Sequence, residues 1–198
     1  MSKKIILKNK KELYEVIMAG EDFNKYDYSL VNNMSDMFFN ETSDIPSLSM
    51  LNVSNVTNMN SMFENSLFNQ DISSWDVSNV TDMSFMFQNT PFNQDIGNWD
   101  VSNVIYTGPM FKNTPFNQNI SNWINFKPIH FLYMFKSCDF SLKEFIPPNL
   151  ITIEYLFKLF NDPEKCIKII PTYEMLNTIK THMKLDSFQL KYLETKIL

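Results

Sequence analysis

Between residues 68 and 91 the large apolar side chains fall at Phe68, Ile72, Trp75, Val77, Val80, Met83, Met86 and Phe87. Neither the two-residue period of a strand nor the 3.6-residue period of a helix describes that spacing, so the segment divides into shorter pieces. Trp75-Asp76-Val77 alternates apolar, polar, apolar, which predicts a short strand. Thr81 or Asp82 is placed to cap a short helical turn that gathers Met83, Met86 and Phe87 on one face. Gln88-Asn89-Thr90-Pro91 and Asn93-Gln94-Asp95 are turn formers.

The same pattern recurs. Met62-Phe63, Met86-Phe87, Met110-Phe111 and Met134-Phe135 follow one another at a 24-residue step, as do Phe68, Phe92 and Phe116, and Trp75, Trp99 and Trp123. Val53-Ser54-Asn55-Val56 returns at Val77-Ser78-Asn79-Val80 and Val101-Ser102-Asn103-Val104. A period of this length predicts a solenoid, in which each unit buries its apolar side only against its neighbours. Stacking brings equivalent positions to about 4.8 Å, so tryptophans form one inward column and the Met-Phe pairs another. Methionine suits such a core because its thioether fills irregular gaps beside aromatic rings. Only three glycines occur. The corners therefore fall to asparagine, whose amide bonds to nearby backbone and which tolerates left-handed conformations. Asn55, Asn79 and Asn103 form one registered column, and Asn69, Asn93 and Asn117 another. Buried amides satisfying the backbone of adjacent coils are the expected arrangement.

The beat continues imperfectly outward, at Met37-Phe38 by a 25-residue step and at Leu156-Phe157 by a 22-residue step. The expected organisation is therefore an N-terminal capping strand and helix over residues 1–30, a solenoid over 31–160, and a C-terminal helical cap over 161–198. Asn9 and Glu12 form a capping-box pattern opening a short helix with Leu13, Val16 and Ile17 on one face, stopped at Gly20. At the other end Leu176, Ile179 and Met183, then Leu190, Leu193 and Ile197, fall at helical spacing.

Charge narrows the partners. Residues 31–140 carry ten acids against Lys112, Lys127 and Lys136, a net charge of −7, and the chain has no arginine. Phosphate neutralisation supplies most nucleic-acid affinity, and arginine is its preferred reader, so nucleic acid is an unsuitable partner. No apolar run approaches a membrane span, and the Ile5-Ile6-Leu7 stretch is too short for a signal peptide, which points to a cytoplasmic chain. Cys138 and Cys166 are too few for a disulfide framework.

Candidate chemistry is sparse. His130 and Cys138 are read as structural, and no phosphate loop, paired-cysteine zinc spacing or nucleophile elbow occurs. No catalytic residue, metal or cofactor is assigned. Asp71 and Asp95 are read as turn residues, since a calcium column wants more oxygen ligands and glycine-turned loops. Asp76 and Asp100 differ because they lie between inward-facing Trp and Val, on the outer side of the expected strand. With Asn52, Ser74, Ser78, Asn98 and Ser102 they make a small polar, acidic ribbon that turns apolar at Ile124 and Phe126. These nine residues are the candidate partner-binding face, although a merely solvated face carries the same residue types.

The unit Phe68-Asn69-Gln70-Asp71-Ile72-Ser73-Ser74-Trp75-Asp76-Val77-Ser78-Asn79-Val80-Thr81-Asp82-Met83-Ser84-Phe85-Met86-Phe87 closely resembles the BspA-like surface-protein repeat, a leucine-rich-repeat relative found in bacterial surface proteins and large DNA viruses. The resemblance covers roughly residues 34–140. It implies an α/β repeat fold, a leucine-rich-repeat-like right-handed solenoid of short parallel strands and short helical turns with helical caps. It implies protein contact and no catalytic residues. Two units depart from the pattern, at Ile105-Tyr106-Thr107-Gly108-Pro109 and at Trp123-Ile124-Asn125-Phe126. The expected function is a non-enzymatic protein–protein interaction module that uses its strand face. A structural, surface or virion component with an adhesive or spacer role is the alternative.

Overall fold

The computed structural model describes residues 4–120, 122, 123 and 134. The expected C-terminal cap over 161–198, together with Ile124, Phe126, His130, Cys138 and Cys166, lies outside the described residues. The chain opens with strand β1 (Ile5–Ile6), helix α1 (Lys10–Met18), a 3-10 turn (Phe23–Lys25) and strand β2 (Tyr26–Asp27). β1 and β2 pair in parallel, with Ile5 opposite Tyr26 and Ile6 opposite Asp27. The side chain of Asn9 caps α1 by accepting from the N–H groups of Lys11 and Glu12. Gly20, at a φ of 69°, closes the helix: its N–H donates to Ile17 and that of Glu21 to Val16, a Schellman arrangement. Leu13 and Ile17 of α1 enter the same core cluster as the units that follow. Tyr14 donates to Glu41 at 2.7 Å, and the Lys10 ammonium reaches the backbone and hydroxyl of Ser35, tying the helix to the first unit.

Successive units lie side by side, and the backbone shows how. The N–H groups of Met34, Asp36, Phe38 and Asn40 donate to the carbonyls of Asn58, Asn60, Met62 and Glu64 at 2.8–2.9 Å. Met59, Ser61, Phe63 and Asn65 repeat this with Asp82, Ser84, Met86 and Gln88. Parallel bridges run through Asn33, Asn58, Asp82 and Tyr106. Between those rungs the alternate N–H groups close turns inside each unit, as from Met62 to Met59 and from Ser66 to Phe63.

Two local expectations change here. The Met-Phe segment is a pair of consecutive turns, not a helical turn. Ser61, Asn65, Phe85 and Asn89 are left-handed, with φ between 52° and 60°, which no right-handed helix accommodates. The alternate carbonyls are already occupied by the neighbouring unit, so none remains for an i→i−4 ladder. Nor does backbone pairing occur at Trp75-Asp76-Val77. Burial alternates there as expected, but the parallel bridges sit at Asn33, Asn58, Asp82 and Tyr106 instead.

The core is aromatic and layered. Phe38, Phe63, Phe87 and Phe111 stack with centroids 5.5–5.9 Å apart, and Phe68, Phe92 and Phe116 form a second stack at 6.1–6.2 Å. The stacks interlock face to face at 3.7–4.0 Å between Phe63 and Phe68, Phe87 and Phe92, and Phe111 and Phe116. Each tryptophan crosses to the preceding unit. The indole N–H groups of Trp75, Trp99 and Trp123 donate to the carbonyls of Leu48, Ile72 and Ile96, which satisfies the one polar atom the ring buries.

The irregular unit disturbs this order in a defined way. At Gly108-Pro109 the rung expected from the Phe85 N–H is missing, and proline cannot take the left-handed place that Ser61 and Phe85 hold. Thr107 stands where Met59 and Met83 fill the core. It is fully buried, and its hydroxyl has no hydrogen-bond partner among the described residues. Thr107→Val removes that hydroxyl at nearly constant shape and is expected to stabilise the chain by about 1 kcal/mol in urea unfolding. Unchanged or reduced stability would show that the hydroxyl is satisfied in solution.

Candidate partner-binding face

The ribbon is built by one local device used four times. The side-chain Oδ1 of Asp27, Asn52, Asp76 and Asp100 accepts the N–H of Ser29, Ser54, Ser78 and Ser102 at 3.0–3.1 Å. Asp or Asn two residues before serine favours this turn because its short side chain reaches the backbone two positions on. Each turn holds its carboxylate or amide at the surface while Tyr28, Val53, Val77 and Val101 between them are buried. Asp76 also accepts from the Ser78 hydroxyl at 2.6 Å.

Side chains, rather than backbone, join one row of the ribbon to the next. Asn55, Asn79 and Asn103 donate to the carbonyls of Ser29, Ser54 and Ser78 at 2.7–2.9 Å. Ser74 donates to Ser49 O and Asn98 to Ser73 O. The amide ladder has the bonding anticipated for it, but Asn79 and Asn103 are exposed rather than buried. In the second column, Asn69 and Asn93 accept from the N–H groups of Asn93 and Asn117 through their side-chain oxygens. A third column, Asn65, Asn89 and Asn113, links amide to carbonyl at 2.6–2.7 Å from left-handed backbone. Asp71 and Asp95 accept from the N–H groups of Ser73 and Gly97, which are turn contacts.

Of the nine candidate residues, Asn52, Ser74, Asp76, Asn98, Asp100 and Ser102 are exposed and Ser78 is half-buried; they lie in adjacent rows. Ile124 and Phe126 lie outside the described residues. Three further residues border the same face. Asp27 is the first acidic member, displaced by a 25-residue step from Asn52, and its Asp-Tyr-Ser spacing was the available signal. Met50 occupies the place of Ser74 and Asn98 and is 72% exposed. Ile6 stands opposite Asp27 across the β1–β2 pair and is 53% exposed.

The ribbon keeps its charge. The hydroxyl and N–H of Ser102 hold the Asp100 carboxyl below the usual carboxylate range. The N–H and hydroxyl of Ser29 do the same for Asp27, with the Lys4 ammonium adding to the effect. No ion pair among the described residues involves Asp76 or Asp100; those present join Lys10 to Asp36 and Lys11 to Glu15. The acidic rows therefore offer unneutralised carboxylates on rigid turns, suited to a cationic surface.

Across residues 8–123, and again across 44–149, the sequence matches the family described as "Mycoplasma protein of unknown function, DUF285". No curated protein and no solved structure matches the chain.

Proposed function

This chain belongs to the DUF285 family of Mycoplasma proteins, a repeat family of unknown function, and from that premise we propose that it is a non-enzymatic protein-binding module. The binding surface is the polar ribbon, carried on a right-handed, leucine-rich-repeat-like solenoid of the BspA type. The observation that carries the reading is the repeated turn at Asn52, Asp76 and Asp100, which fixes each polar group in one orientation before any partner arrives. Pre-organisation of this kind lowers the ordering cost of association. The partner is a protein with a basic surface, since the acidic rows lack ion pairs of their own. Nucleic acid does not fit a face of this sign. Among the described residues no helix is long and apolar enough to cross a membrane.

Asp76→Asn with Asp100→Asn tests the site while preserving the turns, because the amide oxygen can still accept from serine. Calorimetric titration with a partner recovered from the native host is expected to show affinity reduced about tenfold or more, consistent with the loss of two charge-assisted contacts. Unaltered affinity would remove the ribbon as the binding site. A second reading, a structural or surface component in which the array is a spacer, draws support from the repeated backbone rungs and stacked phenylalanines.

A further inference from the structure

The corner at Tyr106-Thr107-Gly108-Pro109 lacks the bonds that hold its counterparts. In the regular units an Asn or Asp side chain accepts the N–H two residues on: Asn33 from Ser35, Asn58 from Asn60, and Asp82 from Ser84. Tyr106 stands at that place, and its one side-chain oxygen lies at the far end of the ring. The left-handed residue of the corner is Asp36, Ser61 and Phe85 in successive units. Pro109 cannot adopt that conformation, and Gly108 carries a φ of 40° one residue earlier instead. The Phe85 N–H then has no acceptor, where that of Ser61 reaches the Ser84 carbonyl at 2.8 Å. Among the described residues the N–H groups of Thr107 and Gly108 donate to no backbone carbonyl either. Packing is thinner as well, because Thr107 takes the place that Met34, Met59 and Met83 fill.

Both ends of this corner are tied down. Ile105 and Tyr106 donate to the Thr81 carbonyl, and the Tyr106 carbonyl accepts from Met83. Beyond it, the Met110 carbonyl accepts from Phe87, and the Phe111 N–H donates to Met134. Phe111 stacks on Phe87 at 5.8 Å, as closely as in the regular units. Between these ties, Thr107-Gly108-Pro109 makes no backbone hydrogen bond to a neighbouring unit among the described residues. Its cover is the Phe85 ring, whose Cε2 lies 3.5 Å from where a Cβ on Gly108 would stand. Phe85 itself holds a φ of 60°, a costly conformation for an aromatic residue.

We propose that Thr107-Gly108-Pro109 is a flap, hinged at Tyr106 and Met110, that swings off the Met83 layer while the phenylalanine stacks stay closed. Opening admits water to the Thr107 hydroxyl and the Met83 side chain, both buried when the flap is shut. A segment held by few backbone bonds opens at lower cost than the whole fold, and its neighbours exchange amide hydrogens by that route. The flap rests on no reading of the polar ribbon and needs no partner.

Native-state hydrogen exchange on the full chain, followed amide by amide by NMR over a series of low urea concentrations, tests this. Met34, Met59 and Met83 are matched reporters, since each N–H donates to a carbonyl of the next unit at 2.8–2.9 Å. The acceptor of Met83 is the hinge residue Tyr106. Met83 is expected to show protection about tenfold or more below that of Met59, with little dependence on urea. Phe87, which donates to Met110 beyond the flap, is expected to match Phe63. Equal protection at Met59 and Met83, or Met83 exchange that rises with urea as global unfolding does, would overturn the flap. Loss of protection at Phe87 together with Met83 would overturn it too, because the whole unit then parts from its neighbour. Tyr106→Asp with Gly108→Ser and Pro109→Ser restores the regular corner. It is expected to bring Met83 to within about twofold of Met59. Circular dichroism and the melting temperature establish that this variant folds. A folded variant in which Met83 still exchanges rapidly would remove the corner as the cause and with it the proposal.

Discussion

Phe87→Ala is expected to destabilise the chain by about 3–5 kcal/mol, the range for truncating a fully buried phenylalanine. The ring has no solvent exposure and lies where the two aromatic stacks interlock. It meets Phe92 at 3.8 Å, Phe63 at 5.9 Å, Phe111 at 5.8 Å, and Trp99 at 6.5 Å. Alanine opens a cavity that its neighbours cannot close, because Phe63 and Phe111 are held by backbone rungs to the next unit, Phe92 by its N–H to the Thr90 hydroxyl and Trp99 by its indole N–H to the Ile72 carbonyl. The melting temperature should fall by roughly 6–20 °C for a chain of this size. Phe87→Leu keeps the apolar burial and removes the stacking, so its smaller loss separates the two contributions. Equal losses in both variants would mean that ring geometry, rather than buried volume, dominates this layer.

Gly97→Ser is expected to cost about 1–3 kcal/mol in urea unfolding, even though it restores the residue that the repeat carries at Ser73. A Cβ at Gly97 would stand 2.3 Å from the backbone carbonyl oxygen of Asn119 and 3.3 Å from the Asp95 carboxylate. The nearer obstacle is main chain, which cannot turn aside as a side-chain tip can. Serine at this place is therefore compatible with one interval between units and not with the next. If Gly97→Ser proved neutral or stabilising, the two units would have to separate at little cost.

Much of the core was legible without coordinates. The 24-residue step placed Trp75 with Trp99, and Phe63 with Phe87, because identical residues at a constant step need identical surroundings. Burial followed the apolar list from Phe68 to Phe87 for the same reason. The backbone path was less legible. Met83, Met86 and Phe87 read as a helical face, yet periodicity reports which side chains are buried and not where the N–H groups find acceptors. Here those acceptors are the carbonyls of the next unit, and left-handed residues such as Ser61 and Phe85 carry no mark in composition. The ribbon was half legible: Asn52, Asp76 and Asp100 follow the step, whereas Asp27 is offset by one residue and Ile6 belongs to a strand outside the repeat.

The sequence by itself determined the repeat, its apolar columns and the outward placement of Asp76 and Asp100, because those depend on residue type and spacing alone. Only the tertiary structure decided that the columns are joined by alternate backbone rungs and asparagine amides, that Gly97 faces a carbonyl, and that β1 sets Ile6 beside Asp27 at the start of the ribbon. Those features depend on distances between units, and a distance between residues far apart in the chain is set by packing rather than by either residue's own preference.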